Sequence, residues 1–257
     1  EIMNEMFAGH DWSAIGEDWQ RGYAACLFDK ELPVFTARDA FNDEASGQGL
    51  HNKFPDAGLP SGKWQAQNAV ITSVQDPETG IRMGYVRGNS TANWMRGALQ
   101  LDSGTSWTEL GVRGKLSRKG NSMEIGFSAG GNPTGNLVRV EIGTPVILGT
   151  CTRIAIVKRL GTGSPVELAS TCIEINDGAE VHFLLDVTTR RGRVLLNSAP
   201  VSALTDVYIG SSLPPGLSHA YFRGATAPPA IYTATDGEID NFEANVYYQD
   251  PAVNCPV

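Results

Sequence analysis

The residues able to do chemistry are few, and their spacing decides what each can do. In Gly237-Glu238-Ile239-Asp240-Asn241-Phe242-Glu243 three carboxylates stand close together. Paired carboxylates facing one another roughly 5 to 10 Å apart are what glycoside hydrolysis requires. A regular strand puts Glu238 and Asp240 on one face and Glu243 on the other, so the stretch is expected to be structural and no catalytic residue is assigned. His10, His51, His182 and His219 lie far apart, none in H-E-x-x-H, and no G-x-S-x-G nucleophile turn occurs. His182 alternates with apolar neighbours and is expected to be a partly buried structural residue. The glycine-rich run Ser128 to Gly135 is followed by no Lys-Ser or Lys-Thr, so it is expected to connect strands rather than cradle phosphate.

Sugar recognition has a different signature: an aromatic ring laid against a pyranose, with amides, carboxylates or guanidinium groups bonding its hydroxyls. The polar loop Asn89 to Arg96 carries one aromatic and one guanidinium, so Asn93, Trp94 and Arg96, flanked by Tyr85 and joined by Trp107, are the candidate glycan-binding residues. Packing of Trp94 as the lid of a core is the competing expectation. Asn89-Ser90-Thr91 also fits a glycosylation sequon. The four cysteines, Cys26, Cys151, Cys172 and Cys255, fit no C-x-x-C knuckle or redox motif. Cys151 and Cys172 lie in two β-branched runs that can pair as neighbouring strands, which leaves open a disulfide or two small buried thiols.

The elements that must hold these residues are set by composition. In 257 residues, 41% are hydrophobic, only 19% are charged, and there are 29 glycines and 14 prolines, which favours many turns over long amphipathic helices. The formal net charge of −8 repels phosphate backbones and anionic lipid, so no nucleic-acid partner is expected. No window approaches the roughly 18 apolar residues of a membrane helix. The start, Glu1 to Phe7, carries acids where a secretory signal carries basic residues. No uncleaved signal is expected, and a start at Glu is expected to reflect processing or a longer parent chain.

From Gln65 onward, runs rich in Val, Ile, Thr and Leu are broken every 8 to 12 residues or so by Gly, Asn, Asp or Pro, the punctuation of an antiparallel sandwich. Strands are expected at 69–74, 81–87, 96–101, 108–117, 122–128, 137–142, 152–160, 166–175, 180–188, 193–197 and 239–248. Apolar residues fall on alternate positions in Met123 to Phe127 and Val138 to Ile142, so each has one buried face. Asp186 to Val194 reads as a hairpin with Gly192 at positive φ and its three arginines at a solvated tip. Upstream, Ile15, Trp19, Tyr23 and Leu27 recur at i, i+4, which predicts a helix over Ser13 to Phe28 with Ser13 as its N-cap.

Two segments carry a resemblance. Asp39-Ala40-Phe41-Asn42-Asp43-Glu44, followed by Gly49-Leu50-His51, Pro55-Asp56, Gly58 and Trp64, resembles the opening of concanavalin A-like (laminin G-like) jelly rolls found in bacteriophage virion proteins. Ile239-Asp240-Asn241-Phe242-Glu243-Ala244 resembles the closing strand of that fold, and Val194 to Val201 is similar to its hairpin ending in an Asn-Gly-x-x-Val turn. The resemblance spans about Ala37 to Tyr248. It implies an all-β, two-sheet antiparallel sandwich over 37–248, with a partly helical N-terminal extension or attachment arm at 1–36 and a tail at 249–257. It also implies a non-catalytic virion part in a tail, fibre or head decoration. Such a part is expected to meet other virion proteins, to form a homo-oligomer such as a trimer, and to present a face to cell-surface glycan. A secreted polysaccharide hydrolase or lyase and a carbohydrate-binding module of a larger surface protein share the fold. Calcium is the one cofactor the resemblance brings in, with Asp43, Asp56 and Asp240 as candidate ligands; the same aspartates also fit turn caps. Phe41 and Phe242 are expected to fill the core where first and last strands meet, with Trp64 over an open end.

Overall fold

A computed structural model describes residues 35–42, 47–57, 62–75, 82–88, 94–101, 107–117, 122–143, 151–176, 178–225 and 238–248. The expected helix over Ser13 to Phe28, residues 1–34 of the attachment arm, the tail, Asp43, Asn93 and the Asn89 sequon lie outside these residues, while Phe35 and Thr36, expected as the end of the arm, open β1. All described residues belong to one unit, Pro33–Tyr248.

The fold is an all-β sandwich of two antiparallel sheets. The first holds β1 (Phe35–Asp39), β3 (Ala69–Gln75), β4 (Arg82–Gly88), β6 (Trp107–Ser117), β11 (Ala179–Asp186), β12 (Arg191–Leu196), β13 (Ala199–Pro200), β14 (Val207–Tyr208) and β16 (Glu238–Tyr248). Its order is β13-β12-β11-β6-β16-β4-β3, with β1 on β16 and β14 on β12. The second holds β2 (Gln65–Gln67), β5 (Trp94–Gln100), β7 (Met123–Ser128), β8 (Leu137–Ile142), β9 (Thr152–Arg159), β10 (Val166–Ile173) and β15 (His219–Ala225), in the order β10-β9-β8-β7-β15-β5-β2. The chain crosses between sheets at β1–β2, β2–β3, β4–β5, β5–β6, β6–β7, β10–β11, β14–β15 and β15–β16. Its first and last strands, β1 and β16, pair directly, with Asp39 opposite Phe242. This is the jelly-roll arrangement the resemblance implied.

Strand periodicity sorts the side chains. Met95, Ile125, Val140 and Phe222 of the second sheet and Val86, Val112, Phe183 and Ala244 of the first are buried in one shared core. Burial of this apolar surface is the main drive to the fold. Trp64 is not a cover over an open end: it is wholly buried, with ring centroids 5.9 Å from Phe41, 5.6 Å from Phe222 and 5.1 Å from Phe242. Tilted and edge-to-face contacts of this kind add to simple burial. Phe41 and Phe242 thus meet through Trp64, where the two sheets close.

Local turns follow backbone chemistry. Asn197 and Ser198, both at positive φ, make the two-residue turn between β12 and β13. The residue at positive φ in the β11–β12 hairpin is Arg190, not Gly192. Gly192 lies in β12 facing inward, where a Cβ would meet Phe183 and Ile209. The hairpin arginines are tied down rather than freely solvated: Arg190 donates to the Ser211 carbonyl, Arg191 pairs with Asp206 at 2.7 Å and Arg193 with Glu109 at 3.0 Å. Ser128 to Gly135 does connect strands, leading from β7 toward β8 with Ala129 N–H donating to the Asn136 carbonyl. Cys151 and Cys172 form a disulfide beside the β9–β10 pairing, with Cα atoms 5.4 Å apart.

Candidate functional site

The strongest polar constellation lies on the outer face of the second sheet. Inward positions of β5, β15, β7 and β8 are apolar and join the core, so the alternate positions point away from it. Register then aligns Gln67, Arg96, Arg223, Glu124 and Glu141, each opposite the next across five adjacent strands. At the usual strand spacing such a row is about 19 Å long. A second row beside it holds Gln65, Ala98, Tyr221, Gly126 and Arg139.

Arg139 is the hub of this face. Its Nε donates at 2.8 Å to Glu141 Oε1, which Nη2 also contacts, and Nε lies 3.4 Å from Glu124 Oε2. The Arg139 stem fits because its cross-strand neighbour is Gly126, where a Cβ would sit 2.6 Å from the Arg139 Cα. Tyr221 is wholly buried against Ala98 and Leu137, apart from the main core. Its hydroxyl makes no hydrogen bond of acceptable geometry, although Arg139 is near enough to favour its ionised form. Burial, and then Glu124, push the Tyr221 phenol above its ordinary range. Burial also raises Glu124, against the opposing pull of Arg139 and Arg223. Arg139 is desolvated too, but Glu124 and Glu141 hold it charged.

Trp94 and Arg96 extend the face at β5. The Arg96 guanidinium lies 5.3 Å from the Trp94 ring centroid and that of Arg223 5.9 Å. Arg96 Nη2 donates to Gln67 Oε1 at 2.7 Å. Beyond Tyr221, His219 Nδ1 meets Ser218 Oγ at 2.9 Å and its Nε2 meets Gln65 Nε2 at 3.2 Å, and burial lowers its pKa.

The other expected glycan residues are elsewhere. Tyr85 is on β4 of the first sheet, opposite Thr72, and Trp107 packs against the main core at the start of β6. The structure thus brings Trp94 and Arg96 together and separates them from Tyr85 and Trp107. Beside Trp94 and Arg96 the structure sets Arg223, Glu124, Arg139, Glu141 and Tyr221, none of which the sequence singles out. Arg223 and Tyr221 sit on β15, the one long strand not anticipated, whose buried outward Tyr221 and inward Gly224 hide the usual alternation.

Of the candidate calcium ligands, Asp56 Oδ2 accepts the Ala40 N–H at 2.8 Å and its Oδ1 lies 3.6 Å from Lys53 Nζ. Asp240 accepts from both the backbone N–H and the side-chain amide of Asn241. Asp240 is thus used locally, whereas Asp56 ties its loop to the chain just after β1, sixteen residues upstream. Among the described residues no three His, Cys, Asp or Glu side chains gather into a metal-sized group.

The Glu238–Glu243 stretch departs from a regular strand. The pairing of β16 with β6 shifts between Asp240 and Glu243, and Asn241 takes φ 49°. Ile239 and Phe242 are both in the core, so Glu238, Asp240 and Glu243 all face outward on the first sheet, a correction to the expectation of opposite faces. Glu243 accepts 2.7 and 2.8 Å hydrogen bonds from Arg113 and Asn245. Burial alone would raise Glu243, but these partners take it below the ordinary carboxylate range. Nearby His182 is half-buried with an unpartnered Nε2, and burial followed by Arg113 lowers it to about 4.

No protein-family model and no curated protein sequence matches the chain. Among solved structures it is similar to the carbohydrate recognition domain of Emp47p, at 12% identity over 82% of this chain and 94% of that one, with a TM-score of 0.47. LamAcat from Zobellia galactanivorans is 13% identical over 86% of this chain and 99% of that one, TM-score 0.46. The carbohydrate-binding module CBM66 from Bacillus subtilis is 10% identical over 71% and 94%, TM-score 0.42.

Proposed function

We propose that this chain is a non-catalytic carbohydrate-binding β-sandwich whose recognition surface is the outer face of the second sheet around Trp94. The cross-strand row from Gln67 to Glu141 carries this reading. The accessible members of that row, Gln67, Arg96, Arg223 and Glu141, offer amide, guanidinium and carboxylate groups at strand spacing for the hydroxyls of a short oligosaccharide, and Trp94 supplies the flat apolar surface. The three successive outward positions of β7 are Glu124, Gly126 and Ser128, so that strand presents one carboxylate rather than a pair. Glu124 and Glu141 are both engaged by Arg139, which fits orientation of a bound ligand better than proton transfer.

The finer form of the proposal is a host-attachment part of a bacteriophage virion, located in the particle and assembled with other virion proteins as a homo-oligomer. It rests on the sequence resemblance at Asp39 to Trp64 and Ile239 to Ala244. Copurification with particles in fixed stoichiometry supports it, and a parent polypeptide carrying a catalytic domain refutes it. The glycan reading is tested by measuring binding of the full chain to a broad polysaccharide panel, with calcium and again with chelator, while assaying for released sugar. Binding without product is expected. No binding across the panel overturns it.

A second reading, polysaccharide hydrolysis, is favoured by one observation: the irregularity at Asp240–Asn241 that aligns Glu238, Asp240 and Glu243. Against it, Arg113 and Asn245 hold Glu243 ionised, the wrong state for a general acid. Turnover lost in Glu238→Gln with the fold intact supports hydrolysis, and no turnover by the unmodified chain removes it.

A further inference from the structure

Arg96 and Arg223 are directly opposed on neighbouring antiparallel strands, and both guanidinium groups lie over the one indole of Trp94. Like charges set opposite one another in a sheet are destabilising. The neighbouring carboxylates relieve this pair on one side only. Arg96 donates to a neutral amide, Gln67 Oε1, and no ion pair to an acid is formed by it among the described residues. Arg223 reaches Glu124 only at 3.4 Å. Glu124 is shared with Arg139, and Glu141 is turned to Arg139 as well. The two rows beside Trp94 therefore carry three guanidinium groups against two carboxylates, in a chain whose formal net charge is −8. Burial, and then Arg223, lower the pKa of Arg96, consistent with a cation short of a counterion.

Guanidinium groups present planar, forked donors that match carboxylate and sulfate oxygens. We propose that the surface around Trp94 takes an acidic saccharide, whose anionic group bridges Arg96 and Arg223 beside the indole. This rests on the glycan reading of the face and narrows it to uronate-bearing or sulfated polymers. Charge recognition of this kind discriminates against the neutral analogue, because the analogue leaves Arg96 without a counter-charge and Arg223 with only its share of Glu124.

The test uses the full chain and four polymers: alginate, carboxyl-reduced alginate, dextran sulfate and dextran, at fixed ionic strength. Alginate or dextran sulfate is expected to bind at least about tenfold more tightly than its uncharged counterpart. Whichever of the two binds identifies the anion as carboxylate or sulfate. Arg96→Gln and Arg223→Gln are each expected to remove most of that difference. Equal binding of a charged polymer and its neutral counterpart overturns the acidic preference while leaving glycan binding intact. Binding to none of the four, together with none across the wider panel, overturns both. Charged-polymer binding unchanged in Arg96→Gln and Arg223→Gln places the anion elsewhere and overturns the assignment. The comparison of polymers needs no variant, so it stands even where a substitution disturbs folding.

Discussion

Asp39 accepts a 2.7 Å hydrogen bond from the indole Nε1 of Trp64, and both side chains are wholly buried. Asp39 also accepts from the Phe41 N–H at 2.9 Å and from Lys53 Nζ at 3.1 and 3.2 Å. One carboxylate thus ties the end of β1, the loop carrying Lys53 and the aromatic cluster that closes the sandwich. Trp64→Phe keeps most of the ring volume but removes a donor to a buried carboxylate. A loss of about 2 kcal/mol is expected, read as a lower urea midpoint at unchanged slope. An unchanged midpoint would show that the hydrogen bond contributes nothing.

The same carboxylate gives a pH signature. Burial raises Asp39 from 3.8 to about 6, while Trp64, Lys53 and Phe41 keep it from rising further. Between those values the folded chain holds a proton that the unfolded chain has lost. The stabilisation from this group is therefore complete below about pH 3.8 and is lost as pH rises through about 6. The displacement corresponds to about 3 kcal/mol. Relative to Asp39→Asn, the native chain is expected to lose about that much stability across the interval, measured by urea denaturation at each pH. A stability difference independent of pH would refute the assignment.

Much of this architecture is legible in the chain, because alternation is a local property. Met123 to Phe127 and Val138 to Ile142 announce their buried faces, and β7 and β8 lie where that pattern puts them. Register is not local. Nothing near Arg96 indicates that Arg223 will stand opposite it, since that pairing is fixed by β15 entering the second sheet between β5 and β7. The face of Glu243 is equally hidden, because it depends on Asn241 adopting positive φ without a glycine to signal it. Trp94 could be named as a ligand-contact candidate from residue type alone, whereas the buried Tyr221 and Arg139 beside it could not.

The Cys151–Cys172 bridge supports a pairing that the β9 and β10 ladder already makes. Its contribution then acts mainly by restricting the unfolded chain, and for a loop of this length it is about 3 kcal/mol. The double variant Cys151→Ser, Cys172→Ser is expected to fold to the same sheet content by circular dichroism and to melt earlier. Loss of the β signal itself would show that the bridge is needed to form the sheet.

Arg139 and Glu124 form a pair whose partners are both largely buried. Removing one member leaves an uncompensated charge, so Arg139→Met is expected to cost about 3 kcal/mol. Adding Glu124→Leu removes the more buried of the two carboxylates that Arg139 holds, Glu141 being the other, and the double variant is expected to be less destabilised than the sum of the singles. Additive losses in that cycle would mean that the two side chains act independently.

Trp94 distinguishes recognition from packing. It is half-buried, its neighbour Met95 fills the core, and its ring faces the two guanidinium groups rather than the aromatic cluster around Trp64. A lid over the core would cost several kcal/mol to truncate. A ligand platform would cost little stability and much affinity. Trp94→Ala is accordingly expected to lower stability by less than about 1 kcal/mol and to weaken binding to the tightest polysaccharide of the panel by about tenfold. Tyr85→Ala serves as the control, because Tyr85 stands on β4 of the opposite sheet, and it is expected to leave binding unchanged. Calorimetric titration of both variants decides the matter. Binding lost with Tyr85 and kept without Trp94 would move the recognition surface to the first sheet.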